Sequence, residues 1–135
     1  VAYKSVLNIL EFVKKLKNNT IPQPKVSFRG HDFHCICPSF NLINCDGKYC
    51  AMHYDGGCEK CWANKKLGAN ETTHNVLKSG ATSICNWRKT WGHFFENTVD
   101  SAIIFSKKVA DLFIQIYPQL KNKIQIKIVL IKDIA

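Results

Sequence analysis

The feature that most constrains the fold is a strand–helix–strand pattern in the last third of the chain. The apolar run 101–105 has the composition of a buried strand, and Ser106 can cap the helix that follows it. A second strand is predicted over residues 124–131, where isoleucines alternate with polar residues. The helix between them stops near Pro118, and its apolar face consists of Val109, Leu112, Phe113 and Ile116. Strands joined by a helix in this way nearly always lie parallel in one sheet.

The first thirty residues supply another helix and another strand. Apolar residues recur at helical spacing over residues 3–16, with Ile9 and Leu16 expected to widen the buried face. An Asn-Asn-Thr run and two prolines then predict the end of this helix. Residues 25–30 follow as a short predicted strand, although its Ser27 and Arg29 are unusual for a strand buried on both faces.

Residues 31–79 lose this periodicity and collect cysteine, histidine, glycine and asparagine. Such a composition predicts a long insertion that something other than a hydrophobic core organises. Helical periodicity returns over residues 84–96, where Ser83 can cap the helix and Trp87 and Trp91 lie on its apolar face. We expect these tryptophans to anchor a core, and a platform for stacking a sugar ring is the alternative.

Together these elements predict an α/β fold, a partial Rossmann-like parallel sheet with flanking helices and a Cys-rich, mostly irregular insertion. We expect residues 1–135 to form a single incomplete Rossmann-like domain, with residues 31–79 inserted in it. A complete doubly wound domain has two βαβαβ halves. Three predicted strands therefore correspond to one half, and the first strands are expected to lie elsewhere or to be missing.

The formal net charge of +9 suggests an anionic partner such as nucleic acid, a sugar nucleotide or an acidic membrane surface. Only Arg29 and Arg88 are arginines, whereas recognition of phosphates and bases favours the guanidinium group. Nucleic acid is therefore a disfavoured partner, and scattered lysines that keep the surface solvated are the favoured explanation. No apolar run approaches the roughly 20 residues of a membrane-spanning helix. Seven cysteines leave at least one unpaired, and the chain is large enough not to need a disulfide framework, so we expect a reducing, cytoplasmic location.

His31 and Asp32 immediately follow the first predicted strand and are the candidate catalytic residues. In open α/β sheets, ligands bind outside the carboxyl ends of the strands. A histidine at such a position can donate to a phosphate or accept a proton from a hydroxyl, and a neighbouring carboxylate can orient its ring. The alternative is a loop pair that bonds the backbone. The same two interpretations apply to His34.

Four cysteines in the aperiodic segment form the candidate metal site, and two of them make a C-x-x-C pair. The candidate zinc ligands are Cys37, Cys50, Cys58 and Cys61. A tetrahedral thiolate set suits a structural zinc ion, and Cys45 or His53 could replace one ligand. Unligated thiols, disulfides and a redox pair are the alternatives, and a redox pair is expected at a helix start after a strand. Cys35 and Cys85 are expected to be small core residues.

An ordered series of short motifs resembles a group of bacterial GT-B glycosyltransferases, of the group 1 or family 4 type. Its first part comprises His31-Asp32-Phe33, Cys37-Pro38, Asn41-Leu42-Ile43, Gly47-Lys48-Tyr49-Cys50 and Cys58-x-x-Cys61. Its second part comprises Trp87-Arg88-x-x-Trp91, then Ile103, Ile104 and Ser106, then Tyr117-Pro118 and Lys121-Asn122-Lys123-Ile124. The resemblance covers residues 21–126.

The resemblance implies transfer of a sugar from a nucleotide-linked donor to the hydroxyl of a glycan or other acceptor. In that family the acceptor is held mainly by the N-terminal Rossmann-like domain, to which the matched residues correspond. It implies that His31 faces the interdomain cleft and that Asp32 supports it. The donor-binding domain is then a missing partner, so the chain alone is expected to be inactive, and a peripheral position at the inner face of the membrane is left open.

The rival hypothesis is a small basic, zinc-containing module that binds nucleic acid or a protein partner. Its main support is the charge of +9. It predicts lysines clustered on one surface and salt-sensitive binding to polyanions. A structural remnant with no activity is the third hypothesis, and it predicts neither ligand binding nor a metal requirement.

Overall fold

The computed structural model describes residues 5–38, 42–44, 46–50, 57–63 and 79–127. In chain order the elements are α1 (Val6–Asn19), β1 (Ser27–Gly30), α2 (Gly57–Ala63), α3 (Ile84–Asn97), β2 (Ser101–Ile104), α4 (Lys107–Ile116), a 3-10 turn (Pro118–Leu120) and β3 (Ile124–Ile126). The three strands form one parallel sheet in the order β1–β2–β3. The fold is therefore α/β, with a small open parallel sheet and flanking helices, as the strand–helix–strand pattern predicts.

The chain divides into two compact units. The first consists of residues 1–13 and 32–91 and is called here the cysteine unit. The second consists of residues 14–31 and 92–135, contains the sheet and is called here the sheet unit. The single incomplete domain over residues 1–135 stays a prediction.

The core of the sheet unit is formed by aromatic side chains around β2. Ala102 and Ile104 of β2 are fully buried, and the largest buried side chains around them are Phe95, Phe113 and Tyr117. Phe28 of β1 packs edge-on against Phe95, with ring centroids 4.9 Å apart. Each large apolar side chain buried in this way stabilises the fold by about 1.5–3 kcal/mol. This packing explains why the apolar run of β2 was recognisable as a buried strand.

The unusual composition of β1 follows from its place in the sheet. Among the described strands β1 pairs only with β2, so it lies at an edge. Ser27 and Arg29 are both exposed there, whereas Phe28 is half-buried. Gly30 is buried against β2, and a Cβ at this position would lie 2.5 Å from Cδ1 of Ile104. A side chain at residue 30 would therefore require the terminal methyl group of Ile104 to move.

The predicted helix starts in the second half of the chain are confirmed. The hydroxyl of Ser83 accepts a hydrogen bond from the amide of Asn86 at 2.9 Å, and that of Ser106 accepts one from Val109 at 3.2 Å. The predicted strand 124–131 is seen over Ile124–Ile126, and residues 128–135 lie outside the described part of the chain. Within the described residues, no helix has the length and apolar character needed to cross a membrane.

The buried face of α1 differs from the predicted one. Leu10 is buried as expected, but Ile9 is exposed and 52% of the surface of Leu16 is accessible to solvent. Lys17 occupies the buried position instead, four residues after the half-buried Val13. The predicted widening of the apolar face by Ile9 and Leu16 is therefore wrong. The helix also continues through the asparagines, to Asn19.

In the cysteine unit, the tryptophans of α3 are core residues. Trp87 and Trp91 are both buried, with ring centroids 6.0 Å apart, which confirms their predicted packing role. Cys35 is buried as predicted. Cys85 is exposed, so the prediction for it is wrong. The reason is helical geometry: Cys85 follows the buried Ile84 directly and points about 100° away from it around the helix.

Candidate functional site

His31 lies at the carboxyl end of β1, in the sheet unit. Its exposed imidazole stacks on the ring of Phe105, with centroids 5.5 Å apart and planes inclined by 25°. Phe105 directly follows β2, so the two rings mark the carboxyl ends of two adjacent parallel strands. The structure therefore places His31 at the edge of the sheet where ligands bind in open α/β folds.

The sheet register accounts for this stacked pair. Gly30 and Ile104 are the last paired residues of β1 and β2, so the chain leaves the sheet at the same level in both strands. The absent side chain at Gly30 leaves room for the side chain of Ile104, and His31 and Phe105 follow the paired residues as neighbours. Stacking occupies a face of the imidazole, and hydrogen bonds to its nitrogens lie in the plane of the ring. His31 can thus be held in place while its nitrogens bind a ligand.

Asp32 and His34 belong to the cysteine unit and form a local turn. Oδ1 of Asp32 accepts a hydrogen bond from the backbone amide of His34 at 2.8 Å, as in an Asx-turn. The amides of Ile36 and Cys37 then both donate to the carbonyl oxygen of Phe33 at 2.9 Å. The backbone-bonding interpretation of Asp32 is thus the one seen here. A role for Asp32 in supporting the chemistry of His31 stays a prediction.

The environment of His34 favours its neutral form. Burial lowers the pKa of His34 below its ordinary value of 6.5, and the nearby Asp32 carboxylate opposes this shift. The imidazole packs edge-on against the ring of Trp87 at a centroid distance of 5.3 Å. The same turn holds Cys35, whose burial raises the pKa of its thiol well above the ordinary value. Both side chains are therefore suited to packing rather than to charged chemistry.

Two consecutive residues of α3 fix the turn that contains these side chains. Nε1 of Trp87 donates to the carbonyl oxygen of His34 at 3.1 Å, and Nε of Arg88 donates to that of Ile36 at 3.0 Å. The sequence pattern predicted no contact between Arg88 and this turn, although Arg88 belongs to the Trp87-Arg88-x-x-Trp91 motif. The one available signal is that Arg88 is one of only two arginines in a lysine-rich chain and follows a core tryptophan directly.

The candidate metal ligands lie on three segments of the cysteine unit. Cys58 and Cys61 lie on α2, one helical turn apart, whereas Cys37 ends the turn described above. Cys50 ends a hairpin formed by residues 42–44 and 46–50, in which its amide donates to the carbonyl oxygen of Leu42 at 2.9 Å. All four cysteines are half-buried thiols in the structure.

The guanidinium group of Arg88 also reaches one of these thiols. Its Nη2 donates to Sγ of Cys58 at 3.5 Å, while its Nε holds the carbonyl oxygen of Ile36. Among the residues that the structure describes, no three His, Cys, Asp or Glu side chains form a group that could hold a metal ion. The zinc site therefore stays a prediction. Its alternative ligands Cys45 and His53 lie outside the described residues.

Comparisons of the chain with family models, with curated proteins and with solved structures find no match. The resemblance to GT-B glycosyltransferases thus depends on the ordered motifs alone. Because one fold can host many unrelated activities, a parallel sheet does not identify a reaction. Function has to be argued from the residues at the ends of the strands and from the cysteines.

Proposed function

We propose that the chain is part of the acceptor-side, Rossmann-like domain of a glycosyltransferase that transfers a sugar from a nucleotide-linked donor to an acceptor hydroxyl. The observation that carries the proposal is the position of His31, at the carboxyl end of a parallel strand and stacked on Phe105 after the next strand. Open α/β sheets bind their ligands at this edge. The ordered motifs, which include His31 itself, supply the reaction class.

In this proposal the imidazole of His31 binds the acceptor hydroxyl through a hydrogen bond. A neutral imidazole nitrogen accepts the hydroxyl proton as the new bond to the sugar carbon forms, and the nucleotide leaves with the electrons of the broken bond. Phe105 keeps the ring from rotating away, which maintains the geometry that proton transfer requires. The resemblance assigns donor binding to a second domain, so acceptor binding is the property to test in this chain.

The test is saturation-transfer NMR of the 135-residue chain with a panel of neutral mono- and oligosaccharides. We expect at least one of these sugars to bind, and His31→Ala to weaken its binding about tenfold, which corresponds to the loss of roughly one hydrogen bond. His93→Ala is the matched control, because His93 is likewise an exposed histidine of the sheet unit, on α3. This control should bind as the unaltered chain does.

Two results would contradict the proposal. One is the absence of binding to every sugar in the panel, and the other is sugar binding that His31→Ala leaves unchanged. Binding to heparin that weakens steeply with added salt, without any sugar binding, would favour the basic binding module instead.

A further inference from the structure

The four half-buried thiols of the cysteine unit have no part in the proposed sugar transfer. They nevertheless lie on segments with little core of their own. Helix α2 has seven residues, about half the length at which isolated helices become even marginally stable. Of its described side chains, Trp62 is the one that is buried. An additional anchor would explain why such a short helix persists.

Arg88 brings two of the cysteine segments together. Its single guanidinium group bonds both the carbonyl oxygen of Ile36, the residue before Cys37, and Sγ of Cys58. Because the guanidinium group is small and planar, Cys37 and the C-x-x-C pair must lie on neighbouring segments. The Nη2–Sγ contact at 3.5 Å therefore lets Arg88 orient the sulfur of Cys58 from outside the set of thiols.

The hairpin that carries Cys50 lies beside the same helix. Nζ of Lys60, between the two cysteines of α2, contacts Oδ2 of Asp46 in the hairpin at 3.0 Å. Both side chains are more than half exposed, so this ion pair contributes little stability. The ion pair is informative about position, because it shows that the hairpin lies next to α2. The turn that ends at Cys37 and the hairpin that carries Cys50 therefore both lie next to α2.

We propose that Cys37, Cys50, Cys58 and Cys61 close around one structural zinc ion, with Arg88 as the outer residue that orients Cys58. The described side chains do not form a metal-binding group as they stand. Structural zinc sites form together with the surrounding fold, so closure of the thiols on the ion is part of binding. Each thiol that binds releases its proton to solvent, and four thiolates with Zn²⁺ carry a net charge of −2. The cation of Arg88 offsets part of that charge.

The experiment measures zinc in the reduced chain, purified without chelator from zinc-supplemented cells. We expect about one equivalent of zinc, and replacement by Co²⁺ should give the visible d–d bands of tetrahedral coordination together with sulfur-to-cobalt charge transfer. Both readouts use the unaltered chain, so they do not depend on whether a variant folds. Cys58→Ser should lower the zinc content, whereas Cys85→Ser should not, because Cys85 is exposed on α3.

The role of Arg88 is tested separately, by competition with a chromophoric zinc chelator. Arg88→Met should weaken zinc binding about 10- to 100-fold, the usual effect of losing a residue that supports a ligand. Arg88→Lys should restore part of the affinity, because it keeps the charge but loses the planar donor. Unchanged affinity in Arg88→Met would remove Arg88 from the site.

Three results would overturn the zinc site. They are less than a tenth of an equivalent of zinc, cobalt spectra without tetrahedral bands, or a disulfide between Cys58 and Cys61 in protein alkylated at lysis. The last result would identify a redox pair instead. None of these results bears on sugar binding, so failure of the zinc site and failure of the proposed function can be told apart.

Discussion

At the scale of single residues, the ion pair of Lys17 shows most clearly what a sequence pattern misses. Nζ of Lys17 contacts Oδ2 of Asp100 at 2.8 Å and donates to the carbonyl oxygen of Thr98, also at 2.8 Å. Its partner lies 83 residues away in the chain. Helical spacing predicted that the apolar face of α1 continues to Leu16, so it predicted burial of Leu16 and not of Lys17. A pairing at such separation leaves no local signal, so the sequence could not distinguish the two residues.

The two partners of this pair should differ in their effect on stability. The side chain of Lys17 is 9% exposed and that of Asp100 is 30% exposed. Asp100→Asn leaves a buried cation without its counter-charge and should lower the free energy of unfolding by about 2–4 kcal/mol. Lys17→Met leaves a carboxylate that water can reach and should cost about 1–2 kcal/mol. Urea denaturation measures both values, and the reverse order of the two losses would contradict this account.

The same pair predicts how stability changes in acid. The hydrogen bond from Lys17, followed by that from the Val26 amide, lowers the pKa of Asp100 below its ordinary value of 3.8. The unfolded chain therefore takes up the proton more readily than the folded one. The stabilisation is complete above pH 3.8 and is lost as the pH falls through the lower folded-state pKa. In Lys17→Met this part of the acid loss should shrink.

At the scale of elements, periodicity predicted the long helices and the buried strand but not α2. The 3.6-residue spacing of α3 and α4 extends over at least ten residues in each, which is enough to identify a buried face. Helix α2 has seven residues and a single buried side chain, so it carries no such pattern. In the sequence, the edge position of β1 was indicated only by Ser27 and Arg29, two polar residues that are unusual in a strand buried on both faces. Local pattern therefore predicted those elements that bury a whole face.

The end of α3 is bonded by a lysine from the turn that precedes β3. Nζ of Lys123 donates to the carbonyl oxygens of Phe95, Glu96 and Val99, at 2.7, 2.9 and 2.8 Å. The last carbonyls of a helix have no partner within it, and a cation there also interacts favourably with the helix dipole. Lys123→Met should therefore lower the free energy of unfolding by about 1–3 kcal/mol.

Lys121→Met provides the matched control for this prediction. Lys121 is exposed and lies two residues before Lys123 in the same turn region. Its replacement should change the stability by less than about 0.5 kcal/mol. Equal losses in the two variants, measured by thermal or urea denaturation, would show that the three carbonyl contacts do not stabilise α3.

At the scale of the whole molecule, the two units are stabilised by different means. The sheet unit has a continuous aromatic core, with Phe28 packed against both Phe95 and Phe113. In the described part of the cysteine unit, the buried residues lie around Trp87, while the hairpin and α2 contain mostly exposed or half-buried residues. The sequence predicted a single domain with an aperiodic insertion over residues 31–79, whereas the cysteine unit also contains residues 1–13 and 80–91. The candidate residues differ in how far the sequence predicted them. The position of His31 at the end of a strand could be predicted, whereas the contacts of Arg88 could not.

This difference predicts which part of the molecule a chelator destabilises. If zinc closes the cysteine unit, its removal takes away an anchor of α2 and the hairpin, whereas the aromatic core of the sheet unit keeps its contacts. Hydrogen exchange measured with and without chelator should then rise in residues 42–44, 46–50 and 57–63 and stay unchanged in β2 and α4. Cys85→Ser should behave as the unaltered chain does. A uniform rise over both units would mean that the metal supports the whole fold, and no change anywhere would mean that the thiols hold no metal.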